Sequence, residues 1–470
     1  MPYVVIEDFK SGLDRRKLSA ASPPGSLQTL SNAHITRGGE IEKRLAFVAK
    51  YALPLGTFGL AGANGQLYVF SAGTPTMPSG VICQQLAHPT GVAMAGLTAA
   101  EFFNGKVFAS ANYTDGSNYC FYNGARVTDW DPASSTTVSG QKATALLTVK
   151  NKVYASATSV VNFSAVGTPT GWGAGSGYGF VNMSNQSAGS ETLTGLGRYQ
   201  NYLAVFARRN TQIWYVDPDP LQNVQRQVIQ NIGTFAPKSI INFGEIDVIF
   251  LSDTGIRSLK ARDASNQAGV SDIGTPIDDE VIAYMRTLTD PVKFASAAVL
   301  DPIDGRYILA MGTRNYVFSY YPASKISSWS RYDPGIQITD WVSMDGRIWA
   351  RAGDTIYLLG GDDGLTYDAT PVEIELPYID GRAVATWKSW TGFDIVSQGE
   401  WKVYINTDPN QPNTWVQIAT IAESTNATVS DLDIDMVSDS PVLKLRFVNS
   451  RAGPAKISKV IVHYRAQAGH

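Results

Sequence analysis

Four histidines and two cysteines are the residues in this sequence whose chemistry is easiest to predict from spacing. They are His34, His88, His463, His470, Cys83 and Cys120. No two of the histidines have the spacing of metal ligands, and neither cysteine joins them in a zinc pattern. The sequence therefore predicts no metal site and no cofactor, and it predicts that both thiols are reduced and half-buried.

Other motifs that could support catalysis are incomplete. The glycine-rich stretch GWGAGSGYGF (171–180) does not match G-x-G-x-x-G, and no helical pattern follows it, so it predicts a loop. SDTGIRS (252–258) resembles the Asp-box turn of sialidases, but it lacks the Thr-Trp end of that motif and has no second copy. No G-x-S-x-G sequence is present. We therefore predict no catalytic residue and a protein that is not an enzyme.

The acidic stretch DLDID (431–435) is the one pattern that suggests a cation. It places Asp431, Asp433 and Asp435 on the same face of a predicted strand. Calcium takes six or more oxygen ligands, usually from several loops, and one strand face cannot supply them. A solvated strand face is the interpretation that we adopt.

The charged residues are few and balanced, with 38 Lys and Arg against 41 Asp and Glu and a net charge of −3. Arg208-Arg209 and DRRK (14–17) are basic spots, not a basic stripe with interleaved aromatics. This argues against a protein that coats nucleic acid, but it allows a channel through which DNA slides without specific binding. The N-terminus lacks the pattern of a signal peptide, and no run approaches the roughly 20 apolar residues of a membrane span. We expect synthesis in a cytoplasm and no stable membrane insertion.

The elements that would position these residues are strands. The chain contains 43 glycines, 23 prolines and 11% aromatic residues, which together favour turns and pleated strands over helices. One theme recurs, in which a turn with Gly, Asn or Asp leads into alternating apolar residues, as in NGKVFASAN from Asn104 and KNKVYASAT from Lys150. The turns recur at intervals of about 40 to 60 residues, close to the length of a four-stranded propeller blade. We predict an all-β fold, a β-propeller of six or seven blades, with an array of two-sheet sandwiches as the alternative.

The sequence divides into three parts. Residues 1–50 are predicted to be an N-terminal arm that leads into the first blade, and residues 51–364 the propeller. TPIDDEVIAYMRTLT predicts a helical insertion near 275–289, with Thr275 as N-cap, Pro276 as first helical residue and acidic residues in the first turn. Residues 365–470 show longer alternations joined by polar loops and are predicted to form a separate C-terminal β-sandwich-like element.

Three stretches, in order, resemble tail proteins of short-tailed bacteriophages (podoviruses), namely the tail hub or packaged-DNA stabilisation proteins and the related nozzle, tail tubular protein B. The first is DFKSGLDRR with GSLQTLSNAHITRGGEIEKRLAF, where a glycine-rich bend precedes a basic Lys-Arg pair. The second is NIGTFAPKSIINFGEIDVIFLSDTGIRSL (231–259). The third is PIDDEVIAYMRTLT followed by DGRYILAMGTRNYVFSYYPASKISSWSRY. The resemblance covers residues 8 to 360 and rests on pattern and order.

This resemblance implies a structural virion protein, a nozzle or hub that forms a homo-oligomeric ring, by resemblance a hexamer. The ring would extend the DNA channel below portal and adaptor, retain the packaged genome and take part in DNA ejection. It would contact the adaptor or portal-proximal tail proteins and the tail fibres or needle. The resemblance leaves the residues that line or gate the channel unknown. The alternatives are a propeller-type carbohydrate-active enzyme, such as a tail depolymerase, and a receptor-binding tail-tip protein.

The resemblance also gives an interpretation of the charged stretch beside Gly38 and Gly39. In such proteins the N-terminal arm crosses the fold or contacts a neighbouring ring component, and the two glycines would allow a sharp bend. Lys43 and Arg44, facing the nearby Glu40 and Glu42 (GGEIEKR, 38–44), would pin the arm by ion pairs. An ordinary solvated turn before a strand is the alternative. If the arm interpretation holds, valine at positions 38 and 39 abolishes assembly.

Overall fold

The computed structural model describes residues 2–126, 143–173, 175–184, 191–243, 247–261, 268–434 and 439–466. Strands dominate this part of the chain, as the composition predicts. Residues 2–52 form seven strands, which are β1 (Tyr3–Ile6), β2 (Gly12–Leu13), β3 (Ser26–Leu27), β4 (Thr29–Ser31), β5 (Ala33–Ile35), β6 (Ile41–Lys43) and β7 (Phe47–Ala52).

Four small sheets follow, which we number blades 1 to 4. Blade 1 has β8 (Phe58–Ala63), β9 (Gln66–Ser71) and β10 (Val81–Gln85), and blade 2 has β11 (Met94–Phe103), β12 (Lys106–Tyr113), β13 (Asn118–Tyr122) and β14 (Ala125–Arg126). Blade 3 has β15 (Ala143–Val149), β16 (Lys152–Ala157), β17 (Val160–Phe163) and β18 (Gly179–Asn182), and blade 4 has β19 (Leu193–Tyr199), β20 (Tyr202–Ala207), β21 (Asn210–Tyr215) and β22 (Val224–Gln230).

Three further blades complete the propeller. Blade 5 has β23 (Ile241–Phe243), β24 (Asp247–Ser252), β25 (Gly255–Ala261) and β26 (Ala268–Ser271). The helices α1 (Asp278–Thr287) and α2 (Asp290–Phe294) separate it from blade 6, which has β27 (Ala297–Leu300), β28 (Arg306–Met311), β29 (Arg314–Tyr321) and β30 (Ile326–Tyr332). Blade 7 has β31 (Asp340–Met344), β32 (Arg347–Ala352) and β33 (Thr355–Leu359).

The blades close into a ring of seven. The first strand of each blade contacts the first strand of the next, and β8 of blade 1 contacts both β11 and β31, which closes the circle. The N-terminal strand β7 pairs antiparallel with β33, so it supplies the fourth strand of blade 7. The prediction of an all-β propeller is confirmed, and the blade number is seven.

The predicted tight turns are present. Asn104 and Gly105, between the first two strands of blade 2, both have positive φ, at 52° and 76°. Lys150 and Asn151 take the same conformation in blade 3, at 46° and 62°. Positive φ at both central residues is the geometry of the primed hairpin turns that match the twist of antiparallel strands.

The helical insertion lies between blades 5 and 6, as predicted, but its N-cap is not Thr275 and its first residue is not Pro276. The helix α1 begins at Asp278, and the Thr275 hydroxyl donates to the carbonyl oxygen of Asp272 at 2.6 Å. The residues before the helix form turns, in which the Ile277 N–H bonds to the carbonyl of Gly274. The threonine side chain is therefore used by the preceding turn and not by the helix.

Two sheets form a β-sandwich beside the propeller. Its C-terminal strands are β34 (Val372–Glu375), β35 (Lys388–Gln398), β36 (Trp401–Asn406), β37 (Val416–Ile421), β38 (Thr428–Asp433), β39 (Asp439–Ser440), β40 (Lys444–Asn449) and β41 (Lys456–Ala466). One sheet has the order β38-β35-β41-β6-β5, with β1 paired to β41, and the other has the order β4-β34-β40-β36-β37.

The N-terminal segment belongs to this sandwich. Strands β5 and β6 complete one sheet, and β4 lies between β34 and β30, so it joins the second sheet to blade 6. The division into a 1–50 arm and a separate 365–470 element therefore does not describe how these strands pair. A local pattern shows that a strand exists, but it cannot show that its partner is several hundred residues away.

Candidate functional site

The propeller axis is where a propeller enzyme would place its active site. Here the first strands of the blades enclose a cavity of about 330 Å³. Its wall is mixed, with aliphatic residues such as Leu60, Leu97 and Leu196 beside the charged Glu101, Lys238 and Asp340. A cavity of this size has no room for a nucleic-acid duplex.

Two carboxylates face this cavity, and each is already bonded. The backbone N–H of Thr148 donates to Glu101 Oε1 at 3.1 Å, and burial raises the pKa of Glu101. Asp340 pairs with Lys238, with 2.6 Å between Nζ and Oδ1. A glycosidase needs two carboxylates that flank a sugar, one to transfer a proton and one to act on the ring or on water. The Glu101 contact instead joins blade 2 to blade 3, and the Asp340 contact joins blade 7 to the segment between blades 4 and 5.

The histidines lie in three different places. His34 is buried and its Nδ1 lies 3.0 Å from the Tyr332 hydroxyl, with a pKa well below the usual value, chiefly because of burial. His88 Nε2 lies 3.0 Å from Ser117 Oγ in blade 2, and His463 Nε2 lies 2.8 Å from Asp394 Oδ2 in the sandwich. Within the described ranges no group of three or more His, Cys, Asp or Glu could hold a metal ion. His470 lies outside the described residues.

The two thiols are unpaired. Cys83 on β10 is half-buried, whereas Cys120 on β13 is fully buried. Burial raises the pKa of both thiols, so neither is activated as a nucleophile.

The residues of the remaining candidate motifs either make hydrogen bonds within the fold or lie exposed on a strand. Part of the glycine-rich stretch connects β17 to β18, where Lys152 Nζ donates to the carbonyl of Gly177 at 2.6 Å; residue 174 lies outside the described residues. Asp253, in the Asp-box-like turn, accepts two hydrogen bonds from Arg208 at 3.0 and 3.2 Å. Asp431 and Asp433 lie exposed on β38, and Asp435 lies outside the described residues.

Lys43 and Arg44, in the charged stretch 38–44, make polar contacts as predicted, but their partners are not the predicted glutamates. Both side chains are only 1% exposed. Arg44 bonds Asn32 Oδ1 at 3.0 Å and pairs with Asp368 at 2.9 Å, where the chain leaves blade 7 for the sandwich. Lys43 Nζ donates to Asn449 Oδ1 at 3.1 Å. The two cations therefore fix the N-terminal segment to the sandwich and to the chain that enters it.

The two glutamates of the stretch have other partners than predicted. Glu42 pairs with Lys456 at 3.0 Å, and Glu40 accepts a hydrogen bond from Ser458 at 2.6 Å. Successive side chains of a strand point to opposite faces, so Glu42 and Lys43 cannot face each other. The alternation itself could have indicated this from the sequence.

A second ionic group, which sequence analysis did not find, surrounds Glu280 in the first turn of α1. Glu280 pairs with Arg15 from the N-terminal segment at 3.0 Å and with Arg331 from blade 6 at 2.6 Å. Arg331 continues to Asp333 at 2.8 Å, and Asp333 accepts from the Ser31 hydroxyl at 2.7 Å. One chain of polar contacts therefore joins the N-terminal segment, the helix, blade 6 and the sandwich.

Of the two glycines in the charged stretch 38–44, only Gly39 has a backbone conformation that favours glycine. Gly39 has φ +85°, whereas Gly38 has ordinary backbone geometry, and a Cβ at Gly38 would make only ordinary van der Waals contacts, the nearest with Thr36 Oγ1 at 3.8 Å. We expect Gly39→Val to lower the free energy of unfolding by about 1–2 kcal/mol, because a β-branched residue is strained at positive φ. Gly38→Val should cost less than about 0.5 kcal/mol. Urea denaturation of the two variants checks this, and equal losses would contradict it.

The buried ammonium of Lys43 predicts a pH dependence. Burial lowers the pKa of Lys43 to about 8, from its ordinary 10.5. Between these values the unfolded chain binds more protons than the folded chain, so the free energy of unfolding rises with pH. The advantage of the natural chain over Lys43→Met should thus grow by about 2 kcal/mol from pH 7.5 to 9.5. Denaturation of both chains at the two pH values measures it, and parallel pH profiles would contradict the expectation.

No family model matches this sequence, and no curated protein matches it. Similar solved structures include an exo-β-1,3-galactanase from Phanerochaete chrysosporium, at 12% identity and TM-score 0.30, covering 80% of this chain and 98% of the galactanase. BamB from Moraxella catarrhalis has 10% identity and TM-score 0.37, with 70% and 90% covered. The Pan2 WD40 domain from Neurospora crassa has 11% identity and TM-score 0.35, with 71% and 89% covered. The assignment of the propeller rests on the strand pairing of this chain, not on these similarities.

Among the described residues, neither helix has the length and apolar character needed to cross a membrane.

Proposed function

We propose that this chain is a structural component of a short-tailed bacteriophage tail, of the nozzle or hub type. It would form a homo-oligomeric ring, a hexamer by resemblance, that extends the DNA channel below portal and adaptor. The ring would retain the packaged genome and take part in its ejection. Its partners would be the portal-proximal tail proteins and the tail fibres or needle.

One observation supports the proposal above others, which is that the three stretches similar to phage tail proteins meet around α1. Arg15, from the first stretch, pairs with Glu280 at 3.0 Å. Arg257, from the second, pairs with Asp278 at 2.9 Å. Arg331, at the end of the third, pairs with Glu280 at 2.6 Å. The three stretches, which resemble tail proteins in pattern and order, thus form one contact region in the fold. This is expected if the resemblance reflects a shared fold.

The narrow cavity at the propeller axis limits the route that DNA could take. Because the cavity is only about 330 Å³, a duplex would pass between copies of the chain and not through the propeller of any one copy. A net charge of −3 suits a channel wall that DNA slides past, since tight phosphate contacts require clustered cations. The rival function, a tail depolymerase, would require free carboxylates, and the bonds made by Glu101 and Asp340 do not favour it.

Genome retention is the direct test of this function. Particles made without this chain should package DNA and then lose it, and purified full-length chain added to the particles should restore nuclease-resistant DNA. A catalase of similar size added at the same concentration is the control for non-specific protection. Particles that keep their DNA and infect normally without the chain would contradict the proposal.

A further inference from the structure

Blades 3 and 4 carry exposed apolar side chains at one end of the propeller. This end holds the turn between the first and second strands of each blade, and the connections between third and fourth strands lie there too. Exposed residues of these connections and of the strands after them are Val166, Tyr178, Phe180, Leu221 and Val224. Leu221 is 88% exposed. A cluster of this kind on a soluble surface marks an interaction site.

Two cations lie within the same cluster. Lys150 Nζ is 4.3 Å from the centre of the Tyr215 ring, and the Arg226 guanidinium is 5.7 Å from it. Tyr215 donates its hydroxyl to Asp217, and Asp219 accepts from the backbone N–H of Leu221, so two acidic groups also belong to the cluster. Arg226 is exposed, and no carboxylate of the described chain pairs with it. We call this region the blade 3–4 patch.

The outer face of the sheet that ends in β38 is acidic along β35 and β38. Asp394 on β35 lies directly across from Asp431 on β38, and Asp433 follows on the same face. Like charges at directly opposed positions destabilise a sheet unless a cation compensates them. His463 bonds Asp394 at 2.8 Å, whereas Asp431 and Asp433 pair with no cation among the described residues. Val429, 76% exposed, adds an apolar group to this acidic face.

Both surfaces end on an outermost strand. The strand β38 is the last of its sheet and β22 is the last of blade 4 in the described strand order. The sequence of β38, TVSDLD, contains neither Lys nor Pro, the residues that usually protect an exposed strand edge. The sequence of β22, VQRQVIQ, contains one charge, Arg226. Each edge can therefore accept another strand.

The two surfaces lie on different parts of the chain, one on the sandwich and one on the propeller. The sheet of β38 reaches the propeller at its other end, where β5 contacts β30 of blade 6. Blade 3 is nearly opposite blade 6 in the ring of seven, and blade 4 is next to blade 3. A contact between two different surfaces of the same chain is a head-to-tail contact, the kind that generates a closed ring.

We propose that the acidic β38 face of one copy docks on the blade 3–4 patch of the next copy, with Asp431 and Asp433 facing Arg226 and Lys150. This assignment rests on the proposed ring and names the surface that closes it. Val429 of one copy would be covered by the exposed apolar residues of the other, and the β38 and β22 edges would lie side by side.

A charge-reversal cycle on the full chain tests this contact. Arg226→Asp and Asp431→Arg should each weaken self-association by about tenfold or more, because each places like charges in the contact. The double variant should return to within about threefold of the natural chain, since it restores an opposite pair. Lys325→Asp, an exposed cation on blade 6, is the matched control and should leave association unchanged. Sedimentation velocity and native mass spectrometry over a range of concentrations measure the association.

The outcomes separate this inference from the proposed function. Single variants that associate as well as the natural chain would overturn the contact while leaving the ring intact. A double variant as weak as the singles would also overturn it, because no direct pairing of the two positions would then exist. A natural chain that stays monomeric throughout would overturn the contact as well, whereas a place in the tail is decided separately by genome retention.

Discussion

A chain carrying Arg44→Ala is expected to lose about 3 kcal/mol of its free energy of unfolding. The guanidinium is 1% exposed and bonds Asn32, the carbonyl of Leu45 and Asp368, which belong to two distant parts of the chain. Alanine removes these charge-assisted hydrogen bonds and leaves Asn32 Oδ1 with fewer donors in a buried site. The substitution should lower the stability of the whole molecule and not only of one region, because Arg44 joins the N-terminal segment to the link between propeller and sandwich.

Chemical denaturation followed by tryptophan fluorescence measures this loss. Arg37→Ala, in the same stretch, is the matched control, because the Arg37 side chain is 63% exposed and should contribute less than about 0.5 kcal/mol. Similar stabilities for the Arg44→Ala and Arg37→Ala chains would contradict the view that Arg44 anchors the segment.

Removal of residues 1–52 is expected to abolish cooperative folding. It deletes β7, which closes blade 7, and it deletes β4, which lies between blade 6 and the sandwich. Without β7 the ladder on β33 is left open, and without β4 the second sheet of the sandwich loses its connection to the propeller. The remaining chain would expose apolar surface from both parts and aggregate.

Differential scanning calorimetry and limited proteolysis distinguish the outcomes. Removal of residues 1–6 is the control, because it deletes only the edge strand β1, which pairs with β41 alone. That chain should keep a single unfolding transition. A chain of residues 53–470 that unfolds cooperatively, with a transition close to that of the natural protein, would show that the N-terminal strands are dispensable.

Local features of this fold could be read from the sequence because they depend on neighbouring residues. The turn at Asn104-Gly105 is an example, since only residues that tolerate positive φ fit its central positions. The helix α1 is another, with Asp278, Asp279 and Glu280 in its first turn as predicted. The spacing of such turns favours a propeller, because each blade is built from consecutive hairpins, but it leaves an array of two-sheet sandwiches as an alternative.

The contacts that join the two parts of the molecule could not be read in this way. Arg44 meets Asp368 across more than 300 residues of sequence, and no local pattern favours that aspartate over the others in the chain. The same holds for Arg15 and Glu280, whose separation is 265 residues. The pairing of Lys43 and Arg44 with Glu40 and Glu42 was predicted from nearness in sequence, and strand alternation rules it out for neighbours.

The most direct test of the central claim, that this chain is a tail protein, is its position and copy number in the virus particle. If the proposal holds, peptide mass spectrometry on gradient-purified virions of the phage that encodes the chain would quantify it, and gold-labelled antibody would locate it by electron microscopy. A proposed ring of six copies predicts label at the tail and about six to twelve copies per particle. Absence of the chain from virions would contradict the claim and would make a propeller enzyme the leading interpretation.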